Sequence, residues 1–191
     1  MTDSAVRDTS MQNETTVYFQ SNRPGGSFIS SLKALLTRPR AFFADMPIAV
    51  FYANSLFFAS IIIFGLTFLA VPFYSIGMLF MLPFTWGSIL IGMWMLSAYM
   101  GWAVKAFGGG KLTQANAFQL SAYALMPMLF IGLSWAGVAA FVWSMYLVWL
   151  GLVAHCRIAT GRAILVLIFP LLTIAMIGGA MMFALGHLKI S

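Results

Sequence analysis

Apolar runs long enough to cross a bilayer make up most of the chain after residue 46. Five such runs, separated by short segments rich in glycine, proline or charge, cover about residues 47–70, 76–104, 113–133, 136–154 and 163–185. A transmembrane helix needs about 20 predominantly apolar residues. The pattern therefore predicts an all-α membrane protein with five transmembrane helices, formed by residues 47–191.

The second run is longer than a bilayer requires. As one helix it would be roughly 43 Å long, against about 30 Å of hydrocarbon. Either the helix tilts and kinks at Pro83, or the span begins near Pro83 and residues 76–82 lie at the interface. We favour the second interpretation.

Two segments precede the spans. Residues 1–26 are polar with mixed charge, which predicts a disordered cytoplasmic tail. Residues 27–46 carry apolar positions at three- and four-residue spacing, and Pro39 disfavours helix at Arg38. The pattern predicts two short amphipathic helices in the membrane interface. Helices that simply cover the end of the bundle fit it equally well.

Basic residues fall almost entirely on one side of this arrangement. On one side of the predicted membrane lie Lys33, Arg38, Arg40, Lys105, Lys111, Arg157 and Arg162, and on the other side lies Lys189 alone. Cytoplasmic loops of membrane proteins carry such an excess of lysine and arginine. The asymmetry predicts a cytoplasmic N-terminus and a C-terminus outside.

Composition supports the membrane class and narrows the chemistry. The chain is 62% hydrophobic and 7% charged, whereas soluble domains carry about 25% charged residues. The basic residues form no patch, which argues against nucleic acid despite a pI near 9.8. All four acids lie at or before Asp45, and Cys156 is the single cysteine. We therefore predict no metal and no cofactor.

No catalytic residue is predicted. His155 and Cys156 are adjacent, but sequence neighbours on a helix point about 100° apart and no acid is available to orient the base. Some basic residues are candidates for contact with lipid headgroups or with a partner protein. The alternative is that they serve only to set the membrane topology. The candidates are Lys33, Arg40, Lys111, Arg157 and Arg162.

Small and polar residues within the spans suggest close helix packing. Small residues let backbones approach in lipid, within one chain or between copies; those singled out are Ser88 with Gly92, and Ala136 with Ala140 and Ser144. The polar groups expected to be buried are Asn54, Asn116, Gln119 and Tyr123. They fit interhelical hydrogen bonds or, alternatively, a polar substrate path.

Several short stretches, in order and at matching spacing, resemble the Yip family (Ypt-interacting proteins). They are LLTRPRAFF at 35–43, GGKLTQ at 109–114, YALMP at 123–127, YLVWLGL at 146–152 followed by His155, and TGRA at 160–163 followed by Pro170. Residues matching the family pattern include Tyr123, Pro127, Gly151 and Gly161. The resemblance implies five membrane helices with a cytoplasmic N-terminus. Eukaryotic members associate with Rab-type GTPases, whereas the short tail here is typical of a bacterial inner-membrane protein.

These observations favour a non-catalytic membrane protein. It would act as an adaptor, accessory subunit or membrane organiser through its helices and its cytoplasmic face. The expected partners are the lipid bilayer and either other membrane proteins or a second copy, with no nucleic acid. The alternative is a small transporter, channel or lipid-handling protein.

Overall fold

The computed structural model describes residues 17–49, 51–71, 77–108, 112–130 and 136–170, and this part of the chain is helical with no strand. The helices are α1 (Pro24–Thr37), α2 (Pro39–Ala44), α3 (Ala53–Ala70), α4 (Met78–Ala103), α5 (Gln114–Ala124), α6 (Ala136–Ala154) and α7 (Thr160–Pro170). A π-helical turn, Val104–Gly108, continues α4, and a 3₁₀ helix, Met126–Phe130, continues α5.

The break predicted before Pro39 is confirmed. Both α1 and α2 begin at a proline, which is favoured in the first helical turn because its missing N–H needs no partner there. Arg38 lies between them with φ −143° and ψ 58°, outside the helical region. The local sequence alone thus determines where the two helices separate.

The chain is ordered earlier than the predicted tail boundary at residue 26. Phe19 is only 2% exposed, and the Ser27 hydroxyl donates to the carbonyl of Arg23 at 2.6 Å. Ser31 donates to the carbonyl of Val17 at 2.8 Å. Residues 17–23 differ from the prediction because one buried aromatic ring and two serine hydroxyls tie them to α1. The rest of the predicted tail lies outside the described residues.

The helix of the second span extends beyond Pro83 toward the N-terminus, while the favoured start of the membrane span near Pro83 stays a prediction. Helix α4 begins at Met78 and continues through Pro83. Proline removes one hydrogen bond, to the carbonyl four residues earlier, and crowds that carbonyl. Pro83 lies in the second turn, so only the short stretch before it has to adapt.

The predicted cap of the third span is confirmed, and the helix type changes just before Pro127, where a bend was predicted. The Thr113 hydroxyl accepts a hydrogen bond from the backbone N–H of Asn116 at 3.2 Å, which caps α5. At Pro127 the α-helix has already given way to the 3₁₀ helix, because proline cannot donate the next helical bond.

The bounds of α6 match the predicted fourth span, and α7 begins three residues before the predicted start of the fifth. Between them Arg157 has a φ of 53°. This left-handed conformation is uncommon for a residue with a Cβ. It lets the N–H of Ile158 return to the carbonyl of Leu152 at 3.4 Å, and Ile158 is buried.

Only part of the five-span prediction follows from the described helices. By length and hydropathy two of them can cross a membrane, Leu79–Phe107 and Ala136–Ala154. Shorter apolar helices cover Ala53–Leu69 and Thr160–Pro170. Large apolar side chains such as Phe80 and Val138 are exposed on the long helices. Such a surface suits lipid better than water.

Candidate functional site

Helix α5 lies at the centre of the bundle and is its most polar member. It packs against α3, α4 and α6, and every residue from Asn116 to Ala124 is buried. The amide oxygen of Asn116 accepts from the backbone N–H of Ala49. The Tyr123 hydroxyl accepts from the backbone N–H of Phe19 at 3.2 Å. Two polar groups of the central helix therefore hold the chain that precedes the bundle.

The other two polar residues singled out from the sequence, Gln119 and Asn54, also form hydrogen bonds. The Gln119 side chain hydrogen-bonds to Tyr123, while its amide oxygen is buried without a partner among the described residues. Asn54 is exposed rather than buried, and its amide oxygen accepts from the N–H of Ser21 at 3.3 Å. Three of these hydrogen bonds join a helix to a non-helical residue of the chain before α3, and the fourth lies within α5, so the predicted interhelical bonds are not among them.

Aromatic rings reinforce the same junction. The Tyr123 ring lies 4.9 Å from Phe42 and 4.8 Å from Phe58, measured between ring centroids. Phe58 in turn lies 5.6 Å from Phe19. Edge-to-face and tilted pairs at these distances stabilise beyond simple burial. Residues 17–46, which we call the N-terminal layer, are thus part of the hydrophobic core.

His155 forms a second link between the layer and the bundle, and Cys156 lies next to it in the sequence. The His155 ring hydrogen-bonds to the backbone of Phe43, and burial lowers the pKa of His155. Burial also raises the pKa of the Cys156 thiol to about 11. A nucleophilic cysteine needs a lowered pKa, so this thiol is protonated at neutral pH and poorly suited to attack.

A groove runs between α1 and α2. Its volume is about 1030 Å³, and it is lined by Val17, Tyr18, Ser30, Lys33, Ala34, Thr37, Arg38, Ala41, Phe42 and Asp45. The Tyr18 hydroxyl forms part of one wall and donates to the carbonyl of Phe42 at 2.8 Å. Burial, and then the nearby Asp45 carboxylate, raise the pKa of Tyr18.

The predicted contact residues are only partly brought together. Lys33, Arg40, Arg157 and Arg162 are all exposed, but of these only Lys33 lines the groove. Lys111 lies outside the described residues. Because α2 packs against α6 and Phe43 contacts His155, the Arg157 turn lies at the same end of the bundle as α2.

The groove includes charged residues that sequence reasoning did not choose, namely Arg38 and Asp45. The available signal was their position, since they flank the six-residue helix that begins at Pro39. Because α2 is so short, Arg38 and Asp45 at its two ends both lie close to the groove that the helix borders.

The predicted packing residues fall into two groups. Ala140 and Ser144 are buried, and Ala136 is half-buried, whereas Ser88 and Gly92 are exposed. Among the residues matching the family pattern, Tyr123 and Pro127 are buried, and Gly161 is exposed. A Cβ added to Gly151 would lie 2.6 Å from Cδ1 of Leu120, so this glycine permits close contact of α5 and α6.

A comparison with protein families decides the relationship. The Yip1 domain model matches residues 33–182. The chain belongs to the Yip family. No characterised protein and no solved structure matches it. The Yip match begins within α1 and therefore includes α2, the groove residues from Lys33 onward, and the central helix. Yip proteins are membrane proteins and generally not enzymes. The family match therefore makes this chain a membrane protein.

Proposed function

We propose that this Yip protein is a non-catalytic adaptor, accessory subunit or membrane organiser of the bacterial inner membrane. Five spans lie within residues 47–191, the N-terminus is cytoplasmic and the C-terminus is outside. The tail predicted at residues 1–26 stops short of the ordered residues 17–26, and α1 and α2, within residues 24–46, are the interfacial helices.

The packing of α5 supports its assignment as the third of the five spans, despite its polarity. A polar helix is tolerated at membrane depth when it is enclosed by protein. Helix α5 and its 3₁₀ continuation together would extend roughly 27 Å, close to the hydrocarbon thickness. The contacts of α5 with α3, α4 and α6 supply the enclosure.

The observation that carries the function is the attachment of the N-terminal layer. Hydrogen bonds from Asn116 and Tyr123, with the aromatic cluster around Tyr123, hold it to the bundle. Its outer surface presents Lys33 and Arg40. A charged face held by a buried core is a preorganised binding surface, which loses little conformational entropy when a partner binds.

Partner capture tests the adaptor role. The full-length protein is purified in mild detergent from its native membrane, beside a variant carrying Lys33→Gln, Arg40→Gln and Arg157→Gln. The matched control is Lys189→Gln, which removes a basic charge on the predicted opposite side. We expect a partner in fixed stoichiometry with the wild type and the control, and its loss from the triple variant.

The transporter alternative has its own readout. The buried Gln119 amide oxygen without a described partner is the feature that favours it. Vesicles reconstituted with the purified protein would then show solute flux above that of protein-free vesicles. Flux that is lost in Gln119→Leu, together with the absence of any stoichiometric partner, would contradict the adaptor role.

A further inference from the structure

The groove between α1 and α2 holds charges of both signs without neutralising them. Lys33, Arg38 and Asp45 all line it, and no ion pair joins Asp45 to either base within the described part of the chain. All three side chains are exposed. Its volume of about 1030 Å³ is at the upper end of the roughly 300–1,000 Å³ of small-molecule sites. The groove therefore has room and separated charges for a ligand that carries both signs.

Exposed apolar side chains close in sequence to the groove residues indicate where that ligand comes from. Ile29 and Leu36 on α1 are 66% and 45% exposed, and they lie on either side of Lys33 in the sequence. After α2, Ile48 and Phe51 are 72% and 79% exposed. Exposed aliphatic and aromatic residues beside lysine and arginine are typical of a surface that inserts at the headgroup boundary.

We propose that the groove binds the headgroup of a zwitterionic aminophospholipid, with Lys33 and Arg38 contacting the phosphate and Asp45 accepting from the primary ammonium. The proposal rests on the membrane-surface position of the N-terminal layer given under Proposed function. Lysine and arginine are established binders of phosphate oxygens, and a carboxylate accepts charge-assisted hydrogen bonds from an ammonium.

Asp45 distinguishes this ligand from other phospholipids. A purely anionic headgroup would satisfy the two bases but would be repelled by the carboxylate. A quaternary ammonium, as in phosphatidylcholine, has no N–H to donate to Asp45. A primary ammonium supplies both the charge and the donors. The groove should therefore prefer phosphatidylethanolamine to both phosphatidylglycerol and phosphatidylcholine.

Lipid binding to the full-length, delipidated protein measures this preference directly. The protein in detergent is titrated with phosphatidylethanolamine, phosphatidylglycerol or phosphatidylcholine of identical acyl chains, and bound lipid is counted by native mass spectrometry. The variants are Asp45→Asn and the pair Lys33→Gln with Arg38→Gln. Arg23→Gln is the matched control, an exposed base directly before α1 that does not line the groove. A thermal unfolding curve for each variant confirms that it is folded.

Asp45→Asn should weaken phosphatidylethanolamine binding by about tenfold, the worth of one charge-assisted hydrogen bond, and leave phosphatidylglycerol binding equal or stronger. The Lys33 and Arg38 pair should lose both lipids, and Arg23→Gln should bind like the wild type. Equal selectivity in wild type and Asp45→Asn would overturn the proposal. A preference for phosphatidylethanolamine that appears only after residues 2–16 are deleted would also overturn it. In that case the native occupant of the groove would be that segment and not a lipid. Since no partner protein is involved, this test can fail while partner capture succeeds, and the reverse.

Discussion

Tyr123 stands where the central helix, α2 and the ordered N-terminal segment meet. Its ring contacts Phe42 and Phe58, and its hydroxyl accepts the backbone N–H of Phe19. The sequence indicated that Tyr123 would be buried and hydrogen-bonded. It could not indicate the partner, because Phe19 is 104 positions away in a stretch whose polar composition predicts disorder.

Tyr123→Phe keeps the ring and removes only the hydroxyl. The N–H of Phe19 then stays buried without a partner, which costs about 1–3 kcal/mol. We expect a lower unfolding midpoint and faster hydrogen exchange at residues 17–23. Tyr146→Phe is the control, because Tyr146 is exposed on α6. Unchanged exchange at residues 17–23 in Tyr123→Phe would mean that this hydrogen bond does not hold the segment.

His155 gives the attachment of the layer a pH dependence. Burial lowers its pKa below the usual value of about 6.5, so the folded state favours the neutral ring. As pH falls through about 6.5 the unfolded state binds the proton first, and stability decreases. The stabilisation is fully present above that pH and is lost below it.

Thermal unfolding between pH 8 and pH 5 should therefore show a midpoint that falls with pH. His155→Gln should flatten this change, since glutamine carries no titrating proton. An equally steep fall in the variant would assign the pH dependence to other groups.

At the scale of single helices, the sequence predicted helix ends well where a single residue determines the end of its own helix. Thr113 capped α5, and Pro39 separated α1 from α2, as expected. Pro83 behaved differently, because a proline near a helix start disturbs only the turn before it. The groove could not be predicted, since its walls are set by how α1 packs against α2 rather than by either pattern alone.

Gly151 and Gly92 offer a matched test of how the helices pack. A Cβ at Gly151 would lie 2.6 Å and 2.8 Å from atoms of Leu120, whereas a Cβ at Gly92 meets nothing within 4 Å. Gly151→Ala should destabilise the purified protein by about 1–3 kcal/mol through overpacking. Gly92→Ala should be neutral or stabilise by up to about 1 kcal/mol, because alanine favours helix.

Thermal unfolding in one detergent compares the two variants. Similar midpoints for Gly151→Ala and the wild type would contradict close packing of α5 on α6. A loss of self-association in Gly92→Ala, with the midpoint unchanged, would instead show that this exposed face contacts another copy.

For the whole molecule, the central claim is a five-span bundle whose N-terminal layer lies on the cytoplasmic face. The structure supports part of this independently of charge. Ala49 bonds to the start of α5, and Phe43 bonds to His155 after α6, so these ends share one side with the layer. The basic residues Lys33, Arg40 and Arg157 then lie on that same side, as the positive-inside rule requires.

Labelling of single cysteines in intact cells tests this claim most directly. In a Cys156→Ser background, Ser75→Cys lies in the predicted outer turn and Gly109→Cys in the predicted cytoplasmic turn. The account predicts that a membrane-impermeant thiol reagent modifies Ser75→Cys from outside and modifies Gly109→Cys only after the cells are permeabilised. The reverse pattern, or labelling of both sites in intact cells, would contradict it.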